Sequence, residues 1–125
     1  MRLWHESLIS QLPRQQLLGQ HRECCALRGK GWGKPHSTVN YVFVHSPQKL
    51  FHYHELVMEE MERRGYNVNP LWMDPYYRGQ VMEPYESVDE IERSIPVYEE
   101  HDDVYLQECL GNLEEKGIYL NRRND

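Results

Sequence analysis

The sequence lacks any long apolar run, and polar residues interrupt its hydrophobic positions throughout. No stretch approaches the roughly 20 apolar residues that a membrane-spanning helix needs. The opening MRLWHESLISQLPR sets His5, Glu6 and Ser7 among its apolar residues, so it does not have the continuous apolar centre of a secretory signal. We therefore expect no membrane association and a cytoplasmic location.

Cysteine is scarce, and two of the three cysteines, Cys24 and Cys25, are adjacent. An odd count and adjacent positions make a poor disulfide framework, because neighbouring cysteines bridge only with backbone strain. The sequence also has no CxxC pair and no spaced Cys/His quartet of the kind that holds structural zinc. Reduced thiols that pack as small apolar side chains on a helix fit this pattern better.

Seven histidines raise the question of a metal site. His52 and His54 are the pair that lies close in sequence, and a spacing of two does not bring both side chains to one face of a helix. We therefore predict no metal ion and no other cofactor. A metal-dependent hydrolase built on the histidines stays open as the least favoured of three functional hypotheses.

An excess of basic residues is also missing, since the net charge is -6. Taken alone, this charge argues against a nucleic-acid partner, because DNA repels an acidic surface. The distribution is uneven, however: residues 1–50 carry seven basic and two acidic residues, a net +5, and the remainder carries seven and eighteen, a net -11. Such asymmetry indicates a basic contact surface on an otherwise acidic body.

A chain of 125 residues is long enough for one core and too short for two, so we expect a single domain over residues 1–125. Pro13 before an apolar stripe and Gly29 after it predict a first helix. Ser46 and Pro47 before a second stripe, with Gly65 after it, predict a second helix.

The second half of the chain carries weaker helix signals. Ser87 and Glu90 form a capping-box pattern, which predicts a short helix. An apolar stripe that starts at Val97 and is followed by Gly117 predicts a last amphipathic helix. Residues 66–85 are rich in Pro, Asn, Gly and aromatic residues and predict a long ordered loop. The expected fold is all-α, a compact single-domain three-helix body with long irregular loops.

The segment LISQLPRQQLLGQHRE resembles the first helix of the phage-type pyrimidine-dimer DNA glycosylases, the family of endonuclease V in its bacteriophage sense. The residues that carry the likeness are Leu12, Gln15, Leu17, Arg22 and Glu23. The likeness resumes across HSPQKLFHYHELVMEEMERRGYNV, which is similar to the second long helix of that family, and more weakly across YEEHDDVYLQECLGNLEEKG.

The resemblance implies an activity and a chemistry. It implies a DNA repair glycosylase with coupled abasic-site lyase activity, in which the N-terminal amine, here that of Met1, attacks C1′ and forms an imine while Glu23 assists. It implies damaged double-stranded DNA as the partner and no metal. An α-amino group suits this role, because its pKa near 7.7 to 8.0 leaves roughly a tenth of it unprotonated at neutral pH.

The basic first half of the chain would supply the contacts to DNA. Gln15 and Arg22 are the first candidates, and the full predicted set is Arg2, Arg14, Gln15, Arg22, Arg28, Lys30 and Lys34. The main rival hypothesis is a non-catalytic relative of the same fold that binds a nucleic acid or a protein. The sequence leaves the lesion and the oligomeric state open.

Overall fold

The computed structural model describes residues 2–29 and 40–120, and all regular secondary structure within these ranges is helical. The described ranges contain three long α-helices, one short α-helix and two 3-10 helices. The α-helices are α1 (Arg14–Arg28), α2 (Asn40–Val44), α3 (Pro47–Arg63) and α4 (Asp103–Glu115), and the 3-10 helices are Glu6–Gln11 and Pro70–Met73. The predicted all-α fold is confirmed. Nowhere in these ranges does a helix combine the length and the apolar character that crossing a bilayer would require.

The ends of α1 and α3 lie where the sequence predicts them. Pro13 precedes α1, and the backbone N–H of Gly29 closes the last turn by donating to the carbonyl of Cys25 at 3.1 Å. The Ser46 hydroxyl begins α3 by accepting from the Gln48 N–H at 3.1 Å. Gly65 follows α3 with a φ of +86°, a left-handed conformation that residues with a Cβ rarely adopt.

The core lies between α1 and α3, and the N-terminal segment and α4 close it. The buried apolar side chains come from every part of this arrangement. Leu17, Cys24 and Leu27 belong to α1; Leu50, Tyr53, Val57, Met58 and Met61 to α3; Leu3, Trp4, Leu8, Ile9 and Leu12 to the N-terminal segment; and Cys109, Leu110 and Leu113 to α4. Because α4 contacts the backbone of Leu3 and His5, it helps to fix the position of this segment.

The short helix predicted from Ser87 and Glu90 is wrong, because residues 87–94 adopt no regular structure. Both residues are exposed, and so are the apolar side chains that follow, Ile91 at 38% and Ile95 at 93%. A short helix needs an apolar face packed against the protein to offset the cost of nucleation. This segment packs no such face, and the capping pattern alone does not form a helix.

The last helix begins later than its apolar pattern predicts. Residues 97–100 form bends and turns, and Val97, Tyr98 and the following His101 are buried. The carboxylate of Asp102 then accepts from the Tyr105 N–H at 2.9 Å and starts α4. The apolar residues before Asp102 therefore enter the core from a turn.

His101 is a buried histidine in that turn. Its Nδ1 accepts from the backbone N–H of Glu6 at 3.1 Å, so its Nε2 carries the proton and donates to the Tyr41 hydroxyl at 2.9 Å. Burial, together with the charge of the nearby His5, lowers the pKa of His101 to about 3. The folded protein therefore keeps this imidazole neutral.

We expect His101 to make the free energy of unfolding depend on pH. The unfolded chain protonates this residue below its ordinary pKa of 6.5, whereas the folded chain does so below about 3. Stability should therefore fall as the pH falls through this window, and the His101 share is about 2 kcal/mol between pH 7 and pH 5. Urea titrations at both pH values should show His101→Gln losing about 2 kcal/mol less than wild type. An unchanged pH dependence would contradict this assignment, and Gln107→Ala on the exposed face of α4 is the control.

Candidate active site

Residues 2–4 lie along α1, and the side chain of Gln20 holds them there. The amide oxygen of Gln20 accepts from the Trp4 N–H at 2.7 Å, and its Nε2 donates to the Arg2 carbonyl at 3.0 Å. Gln20 is 2% exposed, and Leu3 between the two bonded residues is fully buried. The side-chain amide therefore binds one backbone N–H and one backbone carbonyl of this segment, as the backbone of a neighbouring strand would.

Two tyrosines hold the same segment from other helices. The Tyr53 hydroxyl on α3 donates to the Trp4 carbonyl at 2.5 Å, and the hydroxyl oxygen lies 3.1 Å from Oε1 of Gln20. The Tyr105 hydroxyl on α4 donates to the Leu3 carbonyl. Since α1, α3 and α4 all bind the backbone of residues 2–4, the position of this segment is fixed by the helical body.

This arrangement brings Glu23 to the start of the chain. The backbone N–H of Arg2 donates to Glu23 Oε2 at 3.2 Å, across 21 residues of sequence. Glu23 follows Gln20 by one helical turn, so both side chains point toward the same segment. Glu23 is half-buried, which leaves part of its carboxylate accessible to a bound molecule. Met1 lies outside the described residues.

Three of the predicted DNA contacts are exposed on α1: Arg14, Gln15 and Arg22. Gln15 and Arg22 are seven residues apart and therefore lie on nearly the same side of the helix, with Glu23 next to them. A Cβ at Gly19 would lie 3.6 Å from Nη2 of Arg22, so the guanidinium lies over this glycine. The exposed face of α1 thus presents a cation and an amide beside the Glu23 carboxylate.

Arg2 is also close to Glu23 through its backbone, but its side chain extends toward α4. Its guanidinium lies 5.7 Å from the centre of the Tyr105 ring and 6.0 Å from that of Trp4. Arg2 is half-buried in this position. The aromatic rings therefore hold its charge near the edge of the site.

Arg28 requires a correction, because it does not lie on the contact surface that was predicted for it. It is 2% exposed, and its guanidinium lies between the rings of Phe51 and Trp72, about 5 Å from each. Its terminal nitrogens donate to the carbonyls of Trp72, Asp74 and Tyr77 at 2.7 to 2.9 Å. Arg28 holds the loop after the Pro70–Met73 helix and is not available to a phosphate. Lys30 and Lys34, also predicted to contact DNA, lie outside the described residues.

Part of the acidic charge of the second half is paired within that half. Glu55 and Glu59 on α3 both bind Arg93, and Glu60 binds Arg63 and Arg64 at the end of that helix. These pairs engage three of the acidic side chains with arginines of the same half.

The sequence did not reveal the roles of Gln20 and Tyr53, although one signal was present. Gln20 precedes Glu23 by three residues on one helix, the spacing at which two side chains reach the same neighbour. Nothing in the sequence shows that this neighbour is the start of the chain itself. Also missed was the grouping of His21, Cys25 and His54, since His54 comes from a different helix.

Comparison with known proteins gives one family. The model of the family described as pyrimidine dimer DNA glycosylase matches residues 1–74, which include α1, α3 and the segment that Gln20 holds. No curated protein and no solved structure matches the chain. The match covers more than half of the 125 residues, which is sufficient to assign the chain to this family.

We expect Gln20→Leu to destabilise the fold and to release the first residues. The substitution leaves the Trp4 N–H and the Arg2 carbonyl without their partner, and leaving such buried groups unsatisfied costs about 1 to 3 kcal/mol each. Urea unfolding should show the loss, and hydrogen exchange should show faster exchange at Trp4. Gln15→Ala on the exposed face should stay within about 0.5 kcal/mol of wild type. Equal stability of the two variants would show that Gln20 does not hold the segment.

Proposed function

Because the chain belongs to the pyrimidine dimer DNA glycosylase family, we propose that it is a DNA repair glycosylase with coupled abasic-site lyase activity on damaged double-stranded DNA. In this proposal the amine of Met1 is the nucleophile and Glu23 assists it. The observation that carries the proposal is the 3.2 Å hydrogen bond from the Arg2 N–H to Glu23 Oε2. The amine of Met1 is three covalent bonds from that nitrogen.

The proposed reaction begins with attack of the unprotonated amine on C1′ of the damaged nucleotide. A new N–C1′ bond forms, the glycosidic bond breaks, and the base departs with its electron pair and a proton. Loss of the amine proton and opening of the sugar give an imine. Removal of a C2′ proton then eliminates the 3′ phosphate and cuts the strand. The low pKa of an α-amine supplies the free nucleophile near neutral pH.

Glu23 can serve this sequence as a charge and as a proton carrier. A carboxylate beside C1′ stabilises the positive charge that develops as the base leaves, and it can accept the protons that the later steps release. Its position relative to residues 2–4 depends on the side chains that hold this segment. Gln20, Tyr53 and Tyr105 set residues 2–4 before any DNA binds, so little ordering remains when the substrate arrives.

The exposed face of α1 supports DNA binding beside Glu23. Reaching C1′ in a duplex requires bending the DNA and extruding a nucleotide, which costs a few kcal/mol and least where damage weakens stacking. Arg14 and Arg22 would offset this cost by binding phosphates, and Gln15 can donate or accept at the backbone. Arg2, Lys30 and Lys34 complete the proposed set.

The uneven charge of the chain favours one alternative, a relative of the same fold that binds DNA or a protein without catalysis. Its acidic second half, with a net charge of -11, would be the surface for a protein partner.

Cys24, Cys25 and Cys109 are all free thiols, which supports a reducing compartment such as the cytoplasm.

Borohydride trapping tests the enzyme directly. Incubation with a duplex that contains an abasic site and borohydride should give a covalent adduct that maps to the N-terminal peptide. Prior acetylation of the terminal amine should prevent it. Binding of the duplex without any adduct would favour the non-catalytic alternative.

Glu23→Gln should slow strand cleavage by about 100- to 10,000-fold, the usual contribution of a general acid or base. The substitution keeps an oxygen that can accept from the Arg2 N–H, so the fold should be retained. Single-turnover cleavage of abasic duplex measures the effect, and Glu86→Gln in an exposed loop is the matched control. A cleavage rate within threefold of wild type would eliminate Glu23 as the catalytic partner.

Arg22→Ala should weaken binding to undamaged and damaged duplex alike, because a phosphate contact carries no sequence information. The plot of log affinity against log salt concentration should lose about one unit of slope. Fluorescence anisotropy at several salt concentrations provides the measurement. Arg63→Ala, which removes an exposed cation at the end of α3, should leave the slope unchanged. A loss of slope in both variants would place the DNA elsewhere.

A further inference from the structure

His21, Cys25 and His54 bring three metal-binding atoms together between α1 and α3. Nδ1 of His21 lies 2.8 Å from Nε2 of His54, and Sγ of Cys25 lies 3.9 Å from Nε2 of His54 and 4.0 Å from Nδ1 of His21. His21 and Cys25 are four residues apart on α1, so they share one face, and His54 faces them from α3. The described residues contain one other such group, around His45 at the surface.

These distances nearly match those of a metal-bound triad. With zinc bonds of about 2.05 Å to nitrogen and 2.3 Å to sulfur, a tetrahedral site separates two nitrogens by about 3.3 Å and a nitrogen from a sulfur by about 3.6 Å. The two nitrogens here would move apart by about half an ångström, and the sulfur would approach each by less. Side-chain rotation alone provides shifts of this size.

We propose that His21, Cys25 and His54 bind a divalent transition-metal ion, Zn²⁺ foremost, and leave the fourth tetrahedral position for water or an anion. Two imidazoles and one thiolate are ligands of the borderline-soft kind that Zn²⁺ takes in sites with an open position. His21 and Cys25 are half-buried, so the ion can enter from their side.

The hydrogen bonds of the metal-free group define what the ion must displace. Arg28 donates to Nδ1 of His54 at 3.0 Å, so Nε2 of His54 carries the proton and donates to Nδ1 of His21. On binding, the His54 proton moves from Nε2 to Nδ1 and the bond from Arg28 breaks. Arg28 keeps its bonds to the carbonyls of Trp72, Asp74 and Tyr77. Cys25 releases its thiol proton to solvent, so one proton leaves for each ion bound.

The two imidazoles and the thiol differ in how burial affects their pKa values in the metal-free protein. Burial lowers the pKa of His54 well below its ordinary value, and it also lowers the pKa of His21, with Arg22 and Arg28 adding to the effect. Both rings are therefore neutral, the form that binds a metal. Burial raises the pKa of the Cys25 thiol to about 11 in the metal-free protein, and an ion would deprotonate it by direct coordination.

This metal site is separate from the Glu23 site and does not rest on the proposed function. His21 and Glu23 are two residues apart on α1, which places them on opposite sides of the helix. Glu23 contacts the Arg2 backbone, whereas His21 contacts His54 on α3. An ion bound by His21, Cys25 and His54 would therefore join α1 to α3 on the side of α1 opposite to Glu23.

Metal titration of the full-length protein, stripped with a chelator, tests the proposal. Co²⁺ should bind at one equivalent with the visible spectrum of a tetrahedral site and the near-ultraviolet charge-transfer band of a thiolate ligand. Zn²⁺ should displace it. Cys25→Ser should abolish the charge-transfer band and weaken Zn²⁺ binding by more than the roughly 10- to 100-fold that loss of an outer-sphere partner costs. Cys25 is half-buried, so this replacement should leave the fold intact, as circular dichroism would verify.

Two control variants separate this site from other ligands. Cys109→Ser removes a different thiol, and His45→Ala removes the histidine that pairs with Glu100 at the surface. Both should keep the one-equivalent Co²⁺ spectrum. The proposal is overturned if stripped wild type binds no metal, if Cys25→Ser keeps the thiolate band, or if either control loses the metal as Cys25→Ser does.

Discussion

The hydrogen bonds of one buried amide, that of Gln20, are the constraint on which the candidate active site depends. They join the backbone of residues 2 and 4 to α1, and the Tyr53 hydroxyl joins the same group to α3. Without these hydrogen bonds nothing on α1 would hold the backbone of residues 2 and 4, and Glu23 would be an ordinary half-exposed carboxylate. With them, a nitrogen of the second residue meets the carboxylate across 21 residues of sequence. The positions of residues 2–4 are thus fixed by side chains of the core.

The sequence predicted the parts of the fold that depend on local signals. Pro13, Gly29, Ser46 and Gly65 mark the ends of α1 and α3 correctly, because capping and left-handed glycine act within a few residues. The capping pattern at Ser87 failed since a cap needs a buried face behind it. Of the site, Glu23 stays a prediction from family likeness, and its neighbours Gln20 and Tyr53 were missed because their partners are distant in sequence.

Arg28 shows why a count of basic residues overestimates a binding surface. Its charge contributes to the net +5 of residues 1–50, yet it lies between two aromatic rings and serves three carbonyls. A planar guanidinium with many donors suits this interior role as well as it suits phosphate. Arg22 on the same helix is exposed, and only burial distinguishes the two. The uneven charge of the sequence therefore indicates which half of the chain carries a basic surface, but it does not identify the residues that form the contacts.

The bonds of Arg28 also bear on the boundary of the family match. The match ends at residue 74, but the guanidinium reaches the carbonyl of Tyr77, and Arg78 returns two bonds to the carbonyls of Arg28 and Gly29. From further along, Tyr105 and Cys109 bind the backbone of Leu3 and His5. A fragment that ends at residue 74 would thus lose the contacts of α4 to Leu3 and His5 and the Tyr77 carbonyl that Arg28 binds. The residues that match the family model therefore depend on the second half of the chain to hold residues 3 to 5 in place.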